Sequence, residues 1–120
     1  MIVVHHLEHS RSQRVLWLLE EIGEPYEVKR YKRNPISRLA PPDLKKVHPL
    51  GKSPVIQDGG VVVAETGAII EYLTNQNREA GLAPDLSDPL RLPYTYWLHF
   101  AEGTAMPQLL LKLFFSQIKE

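Results

Sequence analysis

Residues 51–73 read GKSPVIQDGGVVVAETGAIIEYL, and this stretch decides the fold. Two short runs rich in β-branched residues, 55–57 and 61–63, lie on either side of Asp-Gly-Gly at 58–60, which is typical of a tight hairpin turn. A helical segment is expected to follow at residues 66–75. The stretch therefore predicts two antiparallel strands followed by a helix.

The same stretch offers two places where a ligand can bind. Ser53 and Pro54 lie just before the first of these strands, where backbone amide and carbonyl groups can pair with an extended peptide. Glu65 and Thr66 lie between the end of the second strand and the N-terminus of the helix, a position that favours binding of a ligand carboxylate. Together the two places predict a pocket for a small acidic peptide.

The residues before this stretch predict a strand, a helix and a second strand. Residues 2–7 indicate a buried strand, and residues 26–31 alternate as a strand does. Between them, residues 10–22 have a helical period, and Gly23 is placed to end that helix. The apolar face of the helix consists of Val15, Leu18, Leu19 and Ile22.

The predicted elements give the order β-α-β-(α)-β-β-α, with a short helix expected within residues 42–46. The first strand, helix and strand should form a right-handed parallel crossover, to which the hairpin adds antiparallel strands. This is an α/β, thioredoxin-like βαβ-ββα arrangement, which we expect to occupy residues 1–79.

A different kind of sequence follows this domain. Residues 80–89 are rich in proline, aspartate and serine and predict a linker. Residues 90–120 predict a long helical stretch, kinked or broken near Pro107 and apolar on more than one face. Such a stretch needs other helices to cover it, so we expect it to begin an incomplete all-α C-terminal domain. Its aromatic residues Tyr94, Trp97 and Phe100 are expected in a core more than against a substrate, although contact of one or two with a ligand stays open.

Composition excludes several classes of function. The 14 Lys and Arg balance the 14 Asp and Glu, and this neutrality gives no indication of a nucleic acid or membrane partner. The chain has no cysteine, which excludes disulfides, thiolate metal sites and the dithiol chemistry of thioredoxins and glutaredoxins. The N-terminus lacks a signal-peptide pattern, and the most apolar run, 109–115, is far shorter than the ~20 residues of a membrane helix. We therefore expect a cytoplasmic protein.

Four segments resemble the soluble glutathione S-transferases. Residues 10–21, SRSQRVLWLLEE, are similar to the first helix of that family. Residues 48–56, HPLGKSPVI, and residues 64–69, AETGAI, resemble its two glutathione-binding segments. Residues 96–103, YWLHFAEG, are similar to the first helix of the C-terminal domain in a bacterial and fungal branch. The segments occur in family order and spacing across essentially all 120 residues.

The resemblance implies a Tyr, Ser or Cys near the end of the first strand that lowers the pKa of the glutathione thiol. The chain has no cysteine and no tyrosine before Tyr26, which leaves a serine. Ser10 matches the family position best, and Ser12 is the alternative if the helix begins two residues later. Ser10 could also form a capping box with Gln13, without any catalytic function.

The resemblance also implies five residues that bind glutathione. Ser53 and Pro54 would be joined by a cis peptide bond, and the Ser53 backbone would pair with the cysteinyl unit. Lys52 is a candidate for the glycine carboxylate. Thr66 would receive the γ-glutamyl carboxylate, and Glu65 its ammonium group. Without a ligand, Glu65 and Thr66 would be only a helix cap.

The activity that the resemblance implies is attack of the glutathione thiolate on an electrophilic carbon of a small apolar substrate, as in detoxification. Glutathione is then a co-substrate, no cofactor is needed, and the protein is expected to be a C2 homodimer. We do not expect the 120 residues alone to be active. The alternative is a non-catalytic relative that serves as a binding or assembly module.

A group of potential metal ligands lies near the N-terminus at His5, His6, Glu8 and His9. A strand would place His5 and His6 on opposite faces of the sheet, and no fourth ligand is evident. We therefore predict that these residues do not bind a metal ion.

Overall fold

Residues 1–118 are described by a computed structural model, in which they contain one four-stranded sheet. The strands are β1 (Ile2–Leu7), β2 (Tyr26–Tyr31), β3 (Val55–Asp58) and β4 (Val61–Ala64). They lie in the order β2-β1-β3-β4. Strand β1 is parallel to β2 and antiparallel to β3, and β3 is antiparallel to β4. The hairpin predicted around Asp58 is thus confirmed.

Helices connect and follow these strands. The α-helices of the described residues are α1 (Ser12–Ile22), α2 (Leu44–Val47), α3 (Thr66–Gln76), α4 (Arg91–Phe100) and α5 (Met106–Ser116). A 3-10 turn at Arg78–Ala80 follows α3, and a π-helical segment at Ala101–Ala105 separates α4 from α5. The predicted α/β fold, a βαβ-ββα domain followed by the first helices of an all-α segment, is therefore confirmed.

The main core lies between one face of the sheet and helices α1 and α3. Alternate residues of β1 face these helices, and Val15 and Leu19 meet the sheet from successive turns of α1. The buried residues of this core are Ile2, Val4, Val15, Leu19, Ile56, Ile69 and Leu73. Burial of their apolar surface holds the N-termini of α1 and α3 in fixed positions against the sheet.

Helix α1 begins two residues later than the sequence predicted. Its first residue is Ser12, and Arg11 at the N-cap makes no side-chain capping hydrogen bond. The Ser10 hydroxyl instead accepts a hydrogen bond from the Ser12 amide at 3.2 Å, so Ser10 does not form the capping box with Gln13 that was the alternative to a catalytic role. The predicted helix stop is confirmed, since Gly23 has a φ of 80° and its amide donates to the Leu19 carbonyl at 2.9 Å.

The opposite face of the sheet carries a smaller cluster around a buried histidine. The imidazole of His5 contacts the Tyr31 hydroxyl through Nδ1 at 2.8 Å and the Gln57 Oε1 through Nε2 at 2.7 Å. Leu44 of α2 is buried nearby against Leu7 and Tyr31. Burial lowers the pKa of His5, which favours the neutral ring and so a stable polar link between β1, β2 and β3.

The chain divides into two compact units, Met1–Ala80 and Gly81–Glu120. In the second unit, α4 and α5 are joined through the π-helical segment Ala101–Ala105. This interruption lies just before Pro107, near which the sequence predicted a break. Proline lacks an amide hydrogen and its ring crowds the carbonyl four residues earlier, here that of Gly103, so the helix widens at this point.

The expectation that Tyr94, Trp97 and Phe100 lie in a core is wrong for this unit. No residue of the range 81–118 is buried, and the Trp97 side chain is 60% exposed. Trp97 and Phe100 contact each other edge to face, with ring centroids 5.2 Å apart. Helix α4, the π-helical segment and α5 follow one another without a turn, so α5 does not fold back to cover the apolar face of α4, which explains the exposure. No helix within residues 1–118 is long and apolar enough to cross a membrane.

Candidate active site

The register of the sheet brings three segments to one edge. His5 of β1 lies opposite Val55 of β3, and Val55 lies opposite Ala64 of β4. Because β1 and β4 both run antiparallel to β3, the ends of β1 and β4 and the start of β3 meet at this edge. The residues there are those that the sequence singled out: 10–12 after β1, 52–54 before β3, and 65–66 after β4.

The two candidate catalytic serines lie in direct contact at the start of α1. Their Oγ atoms are 2.6 Å apart. Ser10 is half-buried, whereas Ser12 is completely buried. A ligand therefore reaches the hydroxyl of Ser10 first, and Ser12 lies behind it.

Ser12 is in turn bonded to the first strand. Its Oγ lies 2.7 Å from Nδ1 of His6 and 3.4 Å from the carbonyl oxygen of Leu7. Burial and, to a smaller extent, the positive charge of Arg30 lower the pKa of His6. This link to His6 was not predicted from the sequence, where His6 was considered only as a metal ligand. The available signal was alternation, since even-numbered residues of β1 face α1.

A shallow cavity of about 430 Å³ lies beside Ser10. It is lined by Ser10, Arg11, Gln13, Arg14 and Trp17. The side chains of Arg11 and Arg14 lie beside the N-terminus of α1, whose dipole favours negative charge. The environment of Ser10 therefore favours an anion such as a thiolate.

Ser53 is fixed to β1 by its side chain. Its hydroxyl donates to the His5 carbonyl at 2.7 Å and accepts from the Leu7 amide at 3.3 Å. The Ser53-Pro54 peptide bond is cis, as the resemblance implies. No backbone–backbone hydrogen bond outside the helices and strands of residues 1–118 uses the Ser53 amide or carbonyl. Lys52, next to it, is exposed.

Glu65 and Thr66 form the junction between β4 and α3. Glu65 is exposed and has a φ of 75°, an uncommon value for a residue other than glycine that costs about 1–3 kcal/mol. It is the N-cap of α3 but makes no side-chain capping hydrogen bond, so a helix cap does not account for it. Thr66 is only 4% exposed. The first amides of α3 point to the same edge and lack partners within the helix.

The side chains of His5 and His6 form hydrogen bonds with different partners and do not converge on a common point. His5 contacts Tyr31 and Gln57, whereas His6 contacts Ser12 from the other face of β1. Within residues 1–118 no group of three or more potential ligands is arranged to hold a metal ion.

Comparison with known proteins identifies relatives of this chain. Glutathione S-transferase 3 of Schizosaccharomyces pombe is 44% identical over 108 residues, which are 89% of this chain and 43% of the relative. Glutathione S-transferase 1 of Saccharomyces cerevisiae is 36% identical over 126 residues, and the match covers 100% of this chain and 53% of that protein. The chain thus spans about half the length of the curated relatives it matches.

Solved structures that resemble this chain are also glutathione S-transferases. A glutathione S-transferase from Actinobacillus pleuropneumoniae has a TM-score of 0.76 at 44% identity, over 81% of this chain and 46% of that one. A sphingomonad glutathione S-transferase, solved in complex with glutathione, has a TM-score of 0.69 at 27% identity, over 84% and 51%. The family model of the glutathione S-transferase N-terminal domain matches residues 1–75. The chain therefore belongs to the glutathione S-transferase family.

Proposed function

We propose that the protein is a glutathione transferase, which joins the glutathione thiolate to small electrophilic apolar substrates. The observation that carries this proposal is the meeting of residues 10–12, 52–54 and 65–66 at one edge of the sheet. Because the chain spans about half the length of its curated relatives, the activity is proposed for the full-length protein. A conjugation assay distinguishes it from the alternative, a non-catalytic binding or assembly module.

Ser10 is the residue to which we assign activation of the thiol. A free thiol of this kind has a pKa near ~8.5, so only a few per cent is ionised at pH 7. The Ser10 hydroxyl is half-buried beside Arg11 and Arg14, and it donates a hydrogen bond to the thiolate in this proposal. The hydrogen bond and the dipole of α1 lower the thiol pKa. The thiolate then attacks the electrophilic carbon. As the carbon–sulfur bond forms, the leaving group departs with the electron pair of the bond that breaks, or, in an addition, the π electron pair moves onto the activating group of the substrate.

Glutathione itself is held by the other two segments in this proposal. The Ser53 amide and carbonyl pair with the cysteinyl unit, because the Ser53 side chain is already bonded to β1. Lys52 binds the glycine carboxylate. Glu65 binds the γ-glutamyl ammonium, and the N-terminus of α3 binds the γ-glutamyl carboxylate. Thr66 is the first residue of α3, so its backbone amide lacks a partner within the helix and contributes alongside its hydroxyl in this proposal.

Thr66→Val and Glu65→Ala are expected to raise the KM for glutathione about tenfold, with a smaller change in kcat. Each change removes one contact to a charged group of the bound peptide, and that contact is the same in the ground and transition states. Steady-state kinetics with varied glutathione measure the effect. Thr74→Val is the matched control, because Thr74 donates only to carbonyls of its own helix. An unchanged KM in both variants would assign Glu65 and Thr66 a structural role alone.

We also propose that the protein is a cytoplasmic homodimer that acts in detoxification. In this proposal residues 1–79 form the thioredoxin-like domain, residues 80–89 are a linker, and residues 90–120 begin a helical domain. The support for association is the set of exposed apolar side chains on α4 and α5, since soluble monomers rarely expose large apolar patches. Its large exposed members are Leu92, Tyr96, Trp97, Leu109, Leu111, Leu113, Phe114 and Phe115.

Light scattering after size-exclusion chromatography tests the association. The full-length protein is expected to elute as a dimer, and the 120-residue chain as a dimer or larger species, because uncovered apolar helices bind each other. A folded monomer of the 120-residue chain, with this surface open to water, would contradict the proposal.

A further inference from the structure

A continuous line of hydrogen bonds runs from β1 to the surface at Ser10. The Oγ atoms of Ser10 and Ser12 are 2.6 Å apart, and Nδ1 of His6 lies 2.7 Å from Oγ of Ser12. Ser12 is completely buried, so no water competes for its hydroxyl. In such surroundings neighbouring hydrogen bonds polarise one another and act as a unit.

The hydrogens of this line can be arranged in two main ways, because each hydroxyl has one hydrogen. In the first, the hydrogen of neutral His6 is on Nε2. Nδ1 then accepts from Ser12, and Ser12 accepts from Ser10, whose hydrogen points inward. In the second, the hydrogen is on Nδ1, so His6 donates to Ser12 and Ser12 donates to Ser10. The hydrogen of Ser10 is then left for a ligand.

We propose that His6 is a positioning residue for the conjugation reaction, which acts through Ser12 to direct the Ser10 hydroxyl toward the glutathione thiolate. The inference rests on the proposed role of Ser10. Only the arrangement with the hydrogen on Nδ1 lets all three groups donate toward the thiolate. The carbonyl of Leu7 lies 3.4 Å from Oγ of Ser12, beyond the usual O–H···O range, whereas Oγ of Ser10 lies at 2.6 Å, so the shorter contact to Ser10 is favoured for the Ser12 hydrogen.

The position of His6 suits this role. Burial and the charge of Arg30, its register partner on β2, lower the pKa of His6 and keep the ring neutral near pH 7. The ring is half-buried, so its hydrogen exchanges with water and can move between the two nitrogens. The first turn of α1 fixes the backbone of Ser12, so what changes between the two arrangements is the direction of its hydroxyl hydrogen.

A double-mutant cycle in the full-length protein tests the inference. The variants are His6→Ala, Ser12→Ala and both together, with kcat, the KM for glutathione and the ultraviolet absorbance of the bound thiolate measured across pH. Each single change is expected to lower kcat about two- to tenfold and to raise the pKa of the bound thiol, with KM unchanged. The double variant is expected to lose no more than the larger single loss, because both changes interrupt one line.

A rescue variant separates positioning from packing. The side-chain amide of His6→Asn can place an N–H where Nδ1 lies, so this variant is expected to recover most of the kcat lost in His6→Ala. His9→Asn, at the exposed histidine after β1, is the matched control and is expected to behave as wild type. Urea unfolding of each variant shows whether it is folded. If His6→Ala does not fold, Ser12→Ala and His6→Asn still give the comparison, since both are close in shape to the original residues.

Three results would overturn the inference: a wild-type thiol pKa in His6→Ala, strictly additive losses in the double variant, or no recovery in His6→Asn. Failure of the proposed function gives a different pattern. If Ser10→Ala leaves the pKa of the bound thiol unchanged, the role of Ser10 is wrong. If Ser10→Ala raises that pKa and neither His6→Ala nor Ser12→Ala does, only the role of His6 is wrong.

Discussion

Replacement of Ser10 by alanine is expected to lower kcat for glutathione conjugation at pH 7 by about 10- to 100-fold. A hydrogen bond to a charged group contributes about 1.5–3 kcal/mol, and each 1.36 kcal/mol in the barrier is tenfold in rate. The affinity for glutathione should change far less, because residues 52–54 and 65–66 are the ones proposed to hold the peptide. Stopped-flow or steady-state conjugation kinetics at saturating glutathione measure the loss.

Ser37→Ala is the matched control for this experiment, since Ser37 is an exposed loop residue outside the site. It should retain wild-type rates. If Ser10→Ala is close to wild type while Ser12→Ala is inactive, the activating hydroxyl is that of Ser12. The complete burial of Ser12 argues against that outcome.

Leu19→Ala is expected to lower the free energy of unfolding by about 2–5 kcal/mol. Leu19 is completely buried between α1 and the sheet, and its truncation leaves a cavity in addition to the lost transfer free energy. Domains of this kind are stable by only about 5–15 kcal/mol, so a substantial share of the stability depends on this residue. Urea unfolding followed by circular dichroism gives the value.

The control for Leu19→Ala is Leu39→Ala. Leu39 is 67% exposed, so its truncation should change the free energy of unfolding by less than about 0.5 kcal/mol. Equal effects at the two positions would mean that α1 does not pack on the sheet as described.

The sheet and the candidate site were predictable because their signals are local. Asp58, Gly59 and Gly60 between two β-branched runs determine the hairpin, and Gly23 ends α1. The hairpin brings residues 53 and 66 together, and the antiparallel pairing of β1 with β3 adds residue 10 at the same edge. The choice of these residues depended on the resemblance to a family, because each of them alone also fits a turn or a helix terminus.

Features that depend on competition between neighbouring groups were harder to predict. The start of α1 was misplaced because the Ser10 hydroxyl bonds the amide of Ser12, two residues on, and not that of Gln13. The link from Ser12 to His6 joins a strand to a helix, and no spacing rule reports such a contact. The exposure of Trp97 could not be deduced from its apolar character, since burial requires other helices beside it.

The central claim is that the sheet edge formed by Ser10, Ser53 and Thr66 binds glutathione, and titration calorimetry of the full-length protein with glutathione tests it most directly. We predict saturable binding with a dissociation constant in the ~1 μM–1 mM range typical of enzyme substrates, weakened by Glu65→Ala and Thr66→Val and unchanged by Thr74→Val. A folded protein that shows no binding at about 1 mM glutathione, or binding that these site variants leave unaltered, would contradict the account.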